Sequence, residues 1–424
     1  MIWILLGSFA LFLVLRFPIA FSLGLSCLIY LVAAGIPLII VPMKMYSGID
    51  VFVLLSIPGF IMAGNLMNQG GLTDKIINFC NRLVGHIRGG LALANIAASM
   101  LFAGISGTAI SDTASIGSVM IPAMKKEGYD APFACAVTAA SSTVGPIIPP
   151  SVSMIIAATL TGLSVGKLFL AGALPGILLG FSLLGLTYYI SRKRKYPVHD
   201  RSTLRQIARS FFDTFWALLM TVVILFGIIG GFFTPTEASI IAVVYALLVG
   251  LFVYRRLTVK KALVVFLDSM KTSASLMVLI GFANLFGWIL IIERLPQTVS
   301  SGILGLTDNP YLVLLLVNLL LIFVGTFMET IAALLILFPI LLNVALAVGI
   351  DPIHFAVVAL LNLMIGLTTP PLGVCLFVAA GIGKTSIGSV ARAGFPFLVM
   401  SLVVLALVTL IPGLSLWLPQ LFMD

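Results

Sequence analysis

The sequence predicts an all-α, polytopic membrane protein built on an inverted-topology repeat, with two re-entrant helical hairpins and two broken helices. Three observations lead to this fold class: the composition, helix-breaking residues inside apolar segments, and an internal repeat. Of 424 residues, 61% are hydrophobic and 9% are charged, whereas soluble domains carry about 25% charged residues. The apolar runs are continuous rather than alternating, which indicates helices rather than a transmembrane barrel.

Basic residues predict the orientation of the chain. Many of them gather in two short loops, SRKRKYPVHDRSTLRQIAR at 191–209 and YRRLTVKK at 254–261. The positive-inside rule places such loops in the cytoplasm, so the net charge of +9 reflects topology and does not indicate nucleic-acid binding. Six further basic residues also fall inside only if 91–124 and 310–348 each enter and leave by the same face: Lys75, Arg82, Arg88, Lys125, Lys126 and Lys384. We therefore predict two re-entrant hairpins and both termini outside.

Three amphipathic stretches lie between the apolar segments. They begin near Leu72, Leu204 and Val259, and each shows apolar residues at helical spacing with charged residues between them. Such stretches are typical of helices that lie in the membrane interface. We expect each to form a separate interfacial helix.

The stretch SSTVGPIIPPS, at 141–151, interrupts the apolar segment 130–166. Proline and glycine break helices, and non-helical backbone at membrane depth is tolerated only where it is buried in protein or lines a cavity. Freed carbonyls and hydroxyl side chains there are hard oxygen ligands that suit an alkali cation, and the next half-helix offers its positive end to an anion. The break therefore predicts a binding site.

An internal repeat appears when the chain is shifted by 221 positions. The matched pairs are Gly128 and Gly349, Asp130 and Asp351, Gly145 and Gly366, Pro149–Pro150 and Pro370–Pro371, Gly162 and Gly383, and Pro175 and Pro396. The shared core reads GPIIPP in one copy and GLTTPP in the other, and an apolar hairpin with a polar tip precedes each. The predicted orientation inverts one copy relative to the other, as in secondary transporters with sites at the bilayer midplane.

The hairpin tips supply the candidate binding residues. Asp112 and Glu329 are the acids of the two tips, and an intramembrane carboxylate is a functional candidate. The alternative is an acid that caps a half-helix. No Lys or Arg occurs in 89–124, 131–166 or 310–383. An anionic substrate would therefore depend on a bound cation, half-helix dipoles and hydroxyl groups.

The sequence does not favour an enzyme. It has no His/Cys set with transition-metal spacing, no Ser–His–Asp arrangement in the breaks and no P-loop. We expect no catalytic residues and no ATP site on this chain.

At these residues the chain resembles the large membrane subunit of tripartite ATP-independent periplasmic (TRAP) transporters. The resemblance rests on RFPIAFSLG, GISGTAISDTASIGSVMIPAMKKEGYD, SSTVGPIIPPS and GLTTPPLGV. It implies Na⁺-coupled import of organic acids, such as C4-dicarboxylates, sialic acid or sugar acids, across the bacterial inner membrane by an elevator mechanism. It also implies two partners, a periplasmic substrate-binding protein and a small four-helix membrane subunit, which we expect on a separate chain.

The resemblance also implies site residues. Substrate contacts would come from Thr108, Asp112, Ser153 and Glu329. One sodium site would comprise Ser106, Gly145, Ile148 and Pro150, and a second would comprise Gly325, Thr368 and Thr369. Na⁺ is the coupling ion, and no other cofactor is implied. The longer acid at position 329 leaves the identity of the organic acid open.

The predicted domains follow the repeat. Residues 1–90 form N-terminal scaffold helices and the first interfacial arm, 91–166 the first transport-domain repeat, 167–309 scaffold helices with the basic loops and the second arm, 310–385 the second repeat, and 386–424 a C-terminal helix. We expect the hairpins and broken helices of the two repeats to move together against the scaffold.

Two alternatives stay open. One is a Na⁺-coupled carboxylate or ion transporter of similar architecture that needs no binding protein. The other is a non-catalytic membrane subunit of a respiratory or decarboxylase complex. A requirement for an added binding protein separates the first from the favoured interpretation, and co-purifying redox or biotin-bearing partners would indicate the second.

Overall fold

The computed structural model describes residues 1–424 apart from 16, 306, 308, 372 and 424, and apart from the side chains of 104–106, 300, 303 and 304. The described chain is all-helical. Its helices are α1 (Ile2–Val14), α2 (Ile19–Ala33), α3 (Ile40–Ile49), α4 (Ser56–Gln69), α5 (Leu72–Val84), α6 (Gly90–Ser106), α7 (Ala109–Lys126), α8 (Ala131–Ser142), α9 (Val152–Thr161), α10 (Val165–Arg194), α11 (Leu204–Ile229), α12 (Pro235–Leu248), α13 (Val259–Ile292), α14 (Leu295–Leu304), α15 (Pro310–Gly325), α16 (Thr330–Ala347), α17 (Pro352–Gly366), α18 (Val374–Gly383), α19 (Ile387–Leu410) and α20 (Gly413–Met423).

Seven helical stretches in the described residues are long and apolar enough to cross a membrane. Five of them are α10, α11, α13, α16 and α19. The other two are α4 with its preceding 3₁₀ turn, Phe52–Gln69, and α12 with the π-helical turn that follows it, Pro235–Val253. Eight further apolar helices have 10 to 17 residues. The chain is therefore a multi-pass, all-helical membrane protein.

The predicted broken helices are present, because 130–166 divides into α8 and α9, and 353–383 divides into α17 and α18. Each predicted hairpin likewise consists of two helices, α6 with α7 and α15 with α16, that pack on each other. Helix α16 is itself long and apolar enough to cross a membrane, which a re-entrant hairpin would not require. Re-entry of the hairpins through one membrane face therefore stays a prediction.

One of the three predicted interfacial helices forms separately. This is α5, whose apolar face, including Leu72, Ile76 and Cys80, is buried against its neighbours. The prediction was wrong for the stretches that begin at Leu204 and Val259, because they are the first turns of α11 and α13. No glycine or proline separates their amphipathic start from the apolar continuation, so the helix propagates through both.

The apolar stretch 18–41 does not form one helix in the structure. Helix α2 ends at Ala33, and Gly35 has φ +66° in the left-handed region that glycine adopts at little cost. A new helix, α3, then begins at Ile40. A further helix, α20, follows α19 in the C-terminal segment, where one helix was expected.

The helices pack as two groups. One contains α1–α4, α12 and α13; within it α4 packs on α12, and a Cβ on Gly59 would overlap the Ser239 hydroxyl. The other contains α6–α9 and α15–α20. Helices α5 and α11 pack on each other, and α5 also packs on α6. Which groups move relative to each other stays a prediction.

Helix α10 lies with the second group, although it begins the segment 167–309 that was expected to be scaffold. A Cβ on Gly176 would lie 2.6 Å from Ile148 Cγ1, so this helix packs directly on the first break. At its other end, Arg194 forms a 2.8 Å ion pair with Asp130, and the Tyr196 hydroxyl donates to the same carboxylate at 2.9 Å.

Candidate functional site

The internal repeat is visible in the helix boundaries. Shifted by 221 positions, α7 (Ala109–Lys126) coincides with α16 (Thr330–Ala347) at both ends. The first residue of α8, Ala131, coincides with the first residue of α17, Pro352, and α9 agrees with α18 within one residue. Gly128 and Gly349 both have positive φ, +85° and +76°. One unit, a helical hairpin followed by a broken helix, therefore occurs twice.

The first break is buried in protein. Residues 143–151 between α8 and α9 are non-helical, and all of them are buried except Ile148, which is half-buried. Ser151 caps α9, because its Oγ accepts a hydrogen bond from the Met154 amide at 3.3 Å and donates one to the Pro146 carbonyl. Non-helical backbone here thus avoids lipid, as the physics of the bilayer requires.

Several carbonyl groups of the first break are not used by the backbone. Among the described residues, no backbone amide donates to the carbonyl oxygens of Gly145, Ile148 or Pro150. A buried carbonyl without a partner costs free energy unless another group supplies the interaction. These three oxygens are the backbone part of the first predicted sodium site.

The tip of the first hairpin rests on this break. Gly107 turns the chain between α6 and α7 with φ +65°, and a Cβ on it would lie 3.6 Å from the Pro150 carbonyl oxygen. Asp112, in the first turn of α7, is fully buried. Its carboxylate packs so closely on Gly145 that a Cβ there would overlap Oδ2. The structure therefore brings a predicted substrate residue against a predicted sodium residue.

The second hairpin meets the second break through two glycines. A Cβ on Gly366 would lie 2.6 Å from the Cα of Gly325, so the two backbones touch. In the described chain, no backbone amide donates to the carbonyl oxygens of Gly325 or Thr368, whereas the Thr369 carbonyl accepts from Gly373 at 3.1 Å. The hydroxyls of Thr368 and Thr369 both donate to the Ile365 carbonyl at 2.9 Å. The three residues of the second predicted sodium site therefore lie together.

Thr108 and Glu329 occupy equivalent positions, since both are the N-cap residues of the second helix of their hairpins. The Glu329 carboxylate accepts hydrogen bonds from the Ile331 and Ala332 amides at 2.9 and 3.3 Å. Glu329 thus has the capping role that was the alternative to substrate binding, and the two roles do not exclude each other. Ser153 is the second residue of α9 and is buried. The Ser106 side chain lies outside the described part of the chain.

Buried hydrogen bonds between side chains join each hairpin to its broken helix. These bonds were not predicted from the sequence. In the first unit, Asn95 Nδ2 donates to Thr138 Oγ1 at 2.6 Å, and Ser99 donates to Ser141 at 2.8 Å. In the second unit, Asn362 Nδ2 donates to Asn318 Oδ1 at 2.7 Å. Position 362 is the repeat equivalent of 141. An asparagine inside an apolar helix was the available signal.

The two units interlock. Helix α7 of the first packs on α18 of the second, and α9 of the first packs on α16 of the second. The Lys125 ammonium donates to the Gly383 carbonyl at 2.8 Å, and the Cys375 thiol lies beside the Thr113 hydroxyl. The two breaks therefore belong to one packed body of helices.

This arrangement offers oxygen ligands rather than a transition-metal site. The described residues contain no group of three or more His, Cys, Asp or Glu side chains that could hold a metal ion. Free carbonyls, hydroxyls and one buried carboxylate suit a hard monovalent cation, and the N-terminal ends of α9 and α18 suit an anion.

Comparison with known proteins agrees with this architecture. A family model described as the tripartite ATP-independent periplasmic transporter, DctM component, matches residues 6–414. The chain is 42% identical over 409 residues to the sialic acid TRAP transporter large permease protein SiaM of Vibrio cholerae, covering 96% of this chain and 95% of that protein. It is 42% identical over 377 residues to the C4-dicarboxylate TRAP transporter large permease protein DctM of Pseudomonas aeruginosa. This match covers 89% of this chain and 88% of that protein.

A solved structure shares the fold at low sequence identity. The crystal structure of the Alcanivorax borkumensis YdaH transporter, described as having an unusual topology, matches with a TM-score of 0.61 and 17% identity. The match covers 88% of this chain and 87% of that one. At this identity the likeness concerns the fold alone.

Proposed function

The chain belongs to the DctM family of tripartite ATP-independent periplasmic transporters, and from that premise we propose that it imports small organic acids together with Na⁺. The observation that carries the proposal is the pair of broken helices, each opposed by a hairpin tip and each with carbonyl oxygens that no backbone amide uses among the described residues. The import direction and the location in the bacterial inner membrane with both termini periplasmic are part of the proposal.

Na⁺ would bind at the two breaks. The first site comprises the carbonyls of Gly145, Ile148 and Pro150 with Ser106, and the second comprises Gly325, Thr368 and Thr369. Unwound backbone carbonyls are typical Na⁺ ligands in transporters built from inverted repeats. Two equivalent breaks with the same glycine–proline pattern support two equivalent cation sites.

The organic acid would lie between the two tips, near Thr108, Ser153 and Glu329. Asp112 does not lie with these three residues in the proposed substrate site, because its carboxylate packs on Gly145 of the first break. A negative charge beside the first cation site attracts Na⁺ and repels a substrate carboxylate. We propose that Asp112 serves the cation first and contacts the substrate only through the bound ion.

The substrate class is proposed from the relatives together with the chain's own residues. Sialic acid and C4-dicarboxylates, named for the two relatives, are both carboxylates, and the half-helix ends would stabilise a carboxylate. Movement would follow the elevator scheme, in which the packed body that contains both breaks slides past α2–α4, α12 and α13. Carrying ion and acid within a closed polar pocket avoids exposing either to lipid.

The function is tested by reconstitution with its proposed partners. Vesicles that contain this chain and its small membrane subunit are expected to accumulate radiolabelled succinate or sialic acid at least tenfold faster once the cognate binding protein is added. The reason is that a site without its own Lys or Arg captures a dilute anion poorly. Equal uptake with and without the binding protein would instead favour a stand-alone transporter.

The substitution Gly366→Ala tests the second break. Because a Cβ would lie 2.6 Å from Gly325 Cα, either the hairpin tip or the break has to shift. We expect uptake to fall at least tenfold at equal amounts of membrane-inserted protein. Gly381→Ala is the matched control on the neighbouring half-helix, since a Cβ there meets nothing within 4 Å. Similar uptake by both variants would show that this contact is not needed for transport.

A further inference from the structure

A cavity of about 360 Å³ lies between the two groups of helices, away from the predicted sodium sites. Helices α3 and α13 form one wall, and α9 and α16 form the other. Its polar and aromatic lining comprises Lys44, Ser47, Asn284, Trp288, Thr159 and Asn343. The α13 residues come from the last turns of that helix, so the cavity is at the end remote from the basic loop 254–261.

Lys44 is held in the wall of this cavity. The Asn284 amide donates to the Lys44 carbonyl at 2.7 Å, and Gly48 packs on Asn284 so closely that a Cβ would lie 2.5 Å from Asn284 Cβ. The Lys44 ammonium lies 5.2 Å from the centroid of the Trp288 ring, within the range of a cation–π interaction. The short helix α3 is thus fixed to α13, and with it the lysine.

The ammonium group is not neutralised by an acid in the described chain. None of the ion pairs found among the described residues includes Lys44. The other polar groups of the lining are amides and hydroxyls. A positively charged, partly enclosed cavity of this kind attracts small anions.

The cavity adjoins the predicted substrate site. Ile156 and Thr159 line it from α9, and Ser153 lies one turn before Ile156 on the same face, about 4.5 Å along the helix axis. On the other side, the lining residues of α16 begin two turns after its N-cap, Glu329. An anion in the cavity is therefore about one helical turn from Ser153 and about two turns from Glu329.

We propose that this cavity is an access site for the substrate anion, in which Lys44 receives the carboxylate before it moves to the broken helices. The proposal rests on the proposed function for the identity of the anion. Its physical reason is the position of the charge. A lysine beside the bound acid at the breaks would have to cross the membrane interior with the moving body, at considerable cost, whereas Lys44 lies on α3, outside that body, and attracts the anion without travelling.

The test measures the charge of the cavity directly. A cysteine is introduced by Asn343→Cys, and its rates of reaction with an anionic and a cationic methanethiosulfonate reagent are compared. The native cysteines, Cys27, Cys80, Cys135 and Cys375, are buried. For an assumed separation of roughly 6 Å between the ammonium and the reagent charge, a unit charge in water changes each rate about threefold, in opposite directions. Lys44→Met is therefore expected to lower the anionic-to-cationic ratio about tenfold.

Two further variants serve as controls. Lys44→Arg keeps the charge and is expected to keep the ratio, which separates the charge from any disturbance of packing. Lys260→Met removes a lysine from the opposite end of α13 and is expected to leave the anionic-to-cationic labelling ratio unchanged. An unchanged ratio in Lys44→Met would overturn the proposal.

Uptake gives the second readout. Lys44→Met is expected to raise the half-saturating concentration of succinate or sialic acid about tenfold, with the maximal rate unchanged. An unaltered half-saturating concentration would overturn the access role. Because the labelling ratio needs no transport, a lowered ratio in a preparation without Na⁺-dependent uptake would support the anion site while contradicting the proposed function.

Discussion

Replacement of external Na⁺ by K⁺ or choline is expected to abolish concentrative uptake by the reconstituted transporter. The physical reason is that no backbone amide in the described chain donates to the carbonyls of Gly145, Ile148, Pro150, Gly325 and Thr368, so that a bound cation would supply their missing interaction. Without Na⁺, closure of the tips over the breaks would leave these oxygens unsatisfied. The measurement is radiolabelled substrate accumulation in vesicles under an imposed Na⁺ gradient, with the binding protein present throughout.

A matched pair of substitutions refines this test. Thr369→Val removes a hydroxyl oxygen at nearly constant volume, and we expect it to raise the half-activating Na⁺ concentration about tenfold. Thr369→Ser retains the hydroxyl oxygen, and its half-activating Na⁺ concentration is expected to stay within about twofold of that of the unmodified protein. Full uptake on a proton gradient alone, in the absence of Na⁺, would show that the breaks do not couple to sodium.

A crosslink between the scaffold and the body of broken helices is expected to stop transport completely. Asn68 on α4 donates to the Ser115 hydroxyl on α7 at 2.7 Å, so these side chains meet across the boundary between the groups. A short bis-methanethiosulfonate reagent, which forms a disulfide with each cysteine of the Asn68→Cys, Ser115→Cys variant, holds that boundary in one position. Uptake should then fall to background and return when dithiothreitol releases the bridge, because an elevator requires sliding at this boundary.

The control crosslink lies inside the body that is proposed to move. Ser99 and Ser141 hydroxyls are 2.8 Å apart, and Ser99→Cys with Ser141→Cys joins α6 to α8 without touching the scaffold. This bridge is expected to leave at least half of the uptake of the reduced double variant. The elevator proposal would be wrong if the bridged Asn68–Ser115 pair still transported at the uncrosslinked rate.

The breaks and the repeat were predictable from the sequence because their causes are local. Prolines at 149–150 and 370–371 end a helix wherever they occur in an apolar segment, and a shift of 221 positions needs no tertiary information. The same local reasoning failed at Leu204 and Val259, where amphipathic and apolar stretches were separated although nothing in the backbone chemistry ends a helix between them. Periodicity alone does not define a helix boundary.

By itself, the sequence determined the membrane class, the places where helices break and the residues that are rich in oxygen ligands. Only the tertiary structure decided which of these residues meet: Asp112 with Gly145, Gly325 with Gly366, and α10 with the first break. It also brought Lys44 to Asn284 across 240 positions of sequence. The physical reason is that such contacts arise from close packing between helices distant in the chain, where the approach of two backbones depends on every side chain between them.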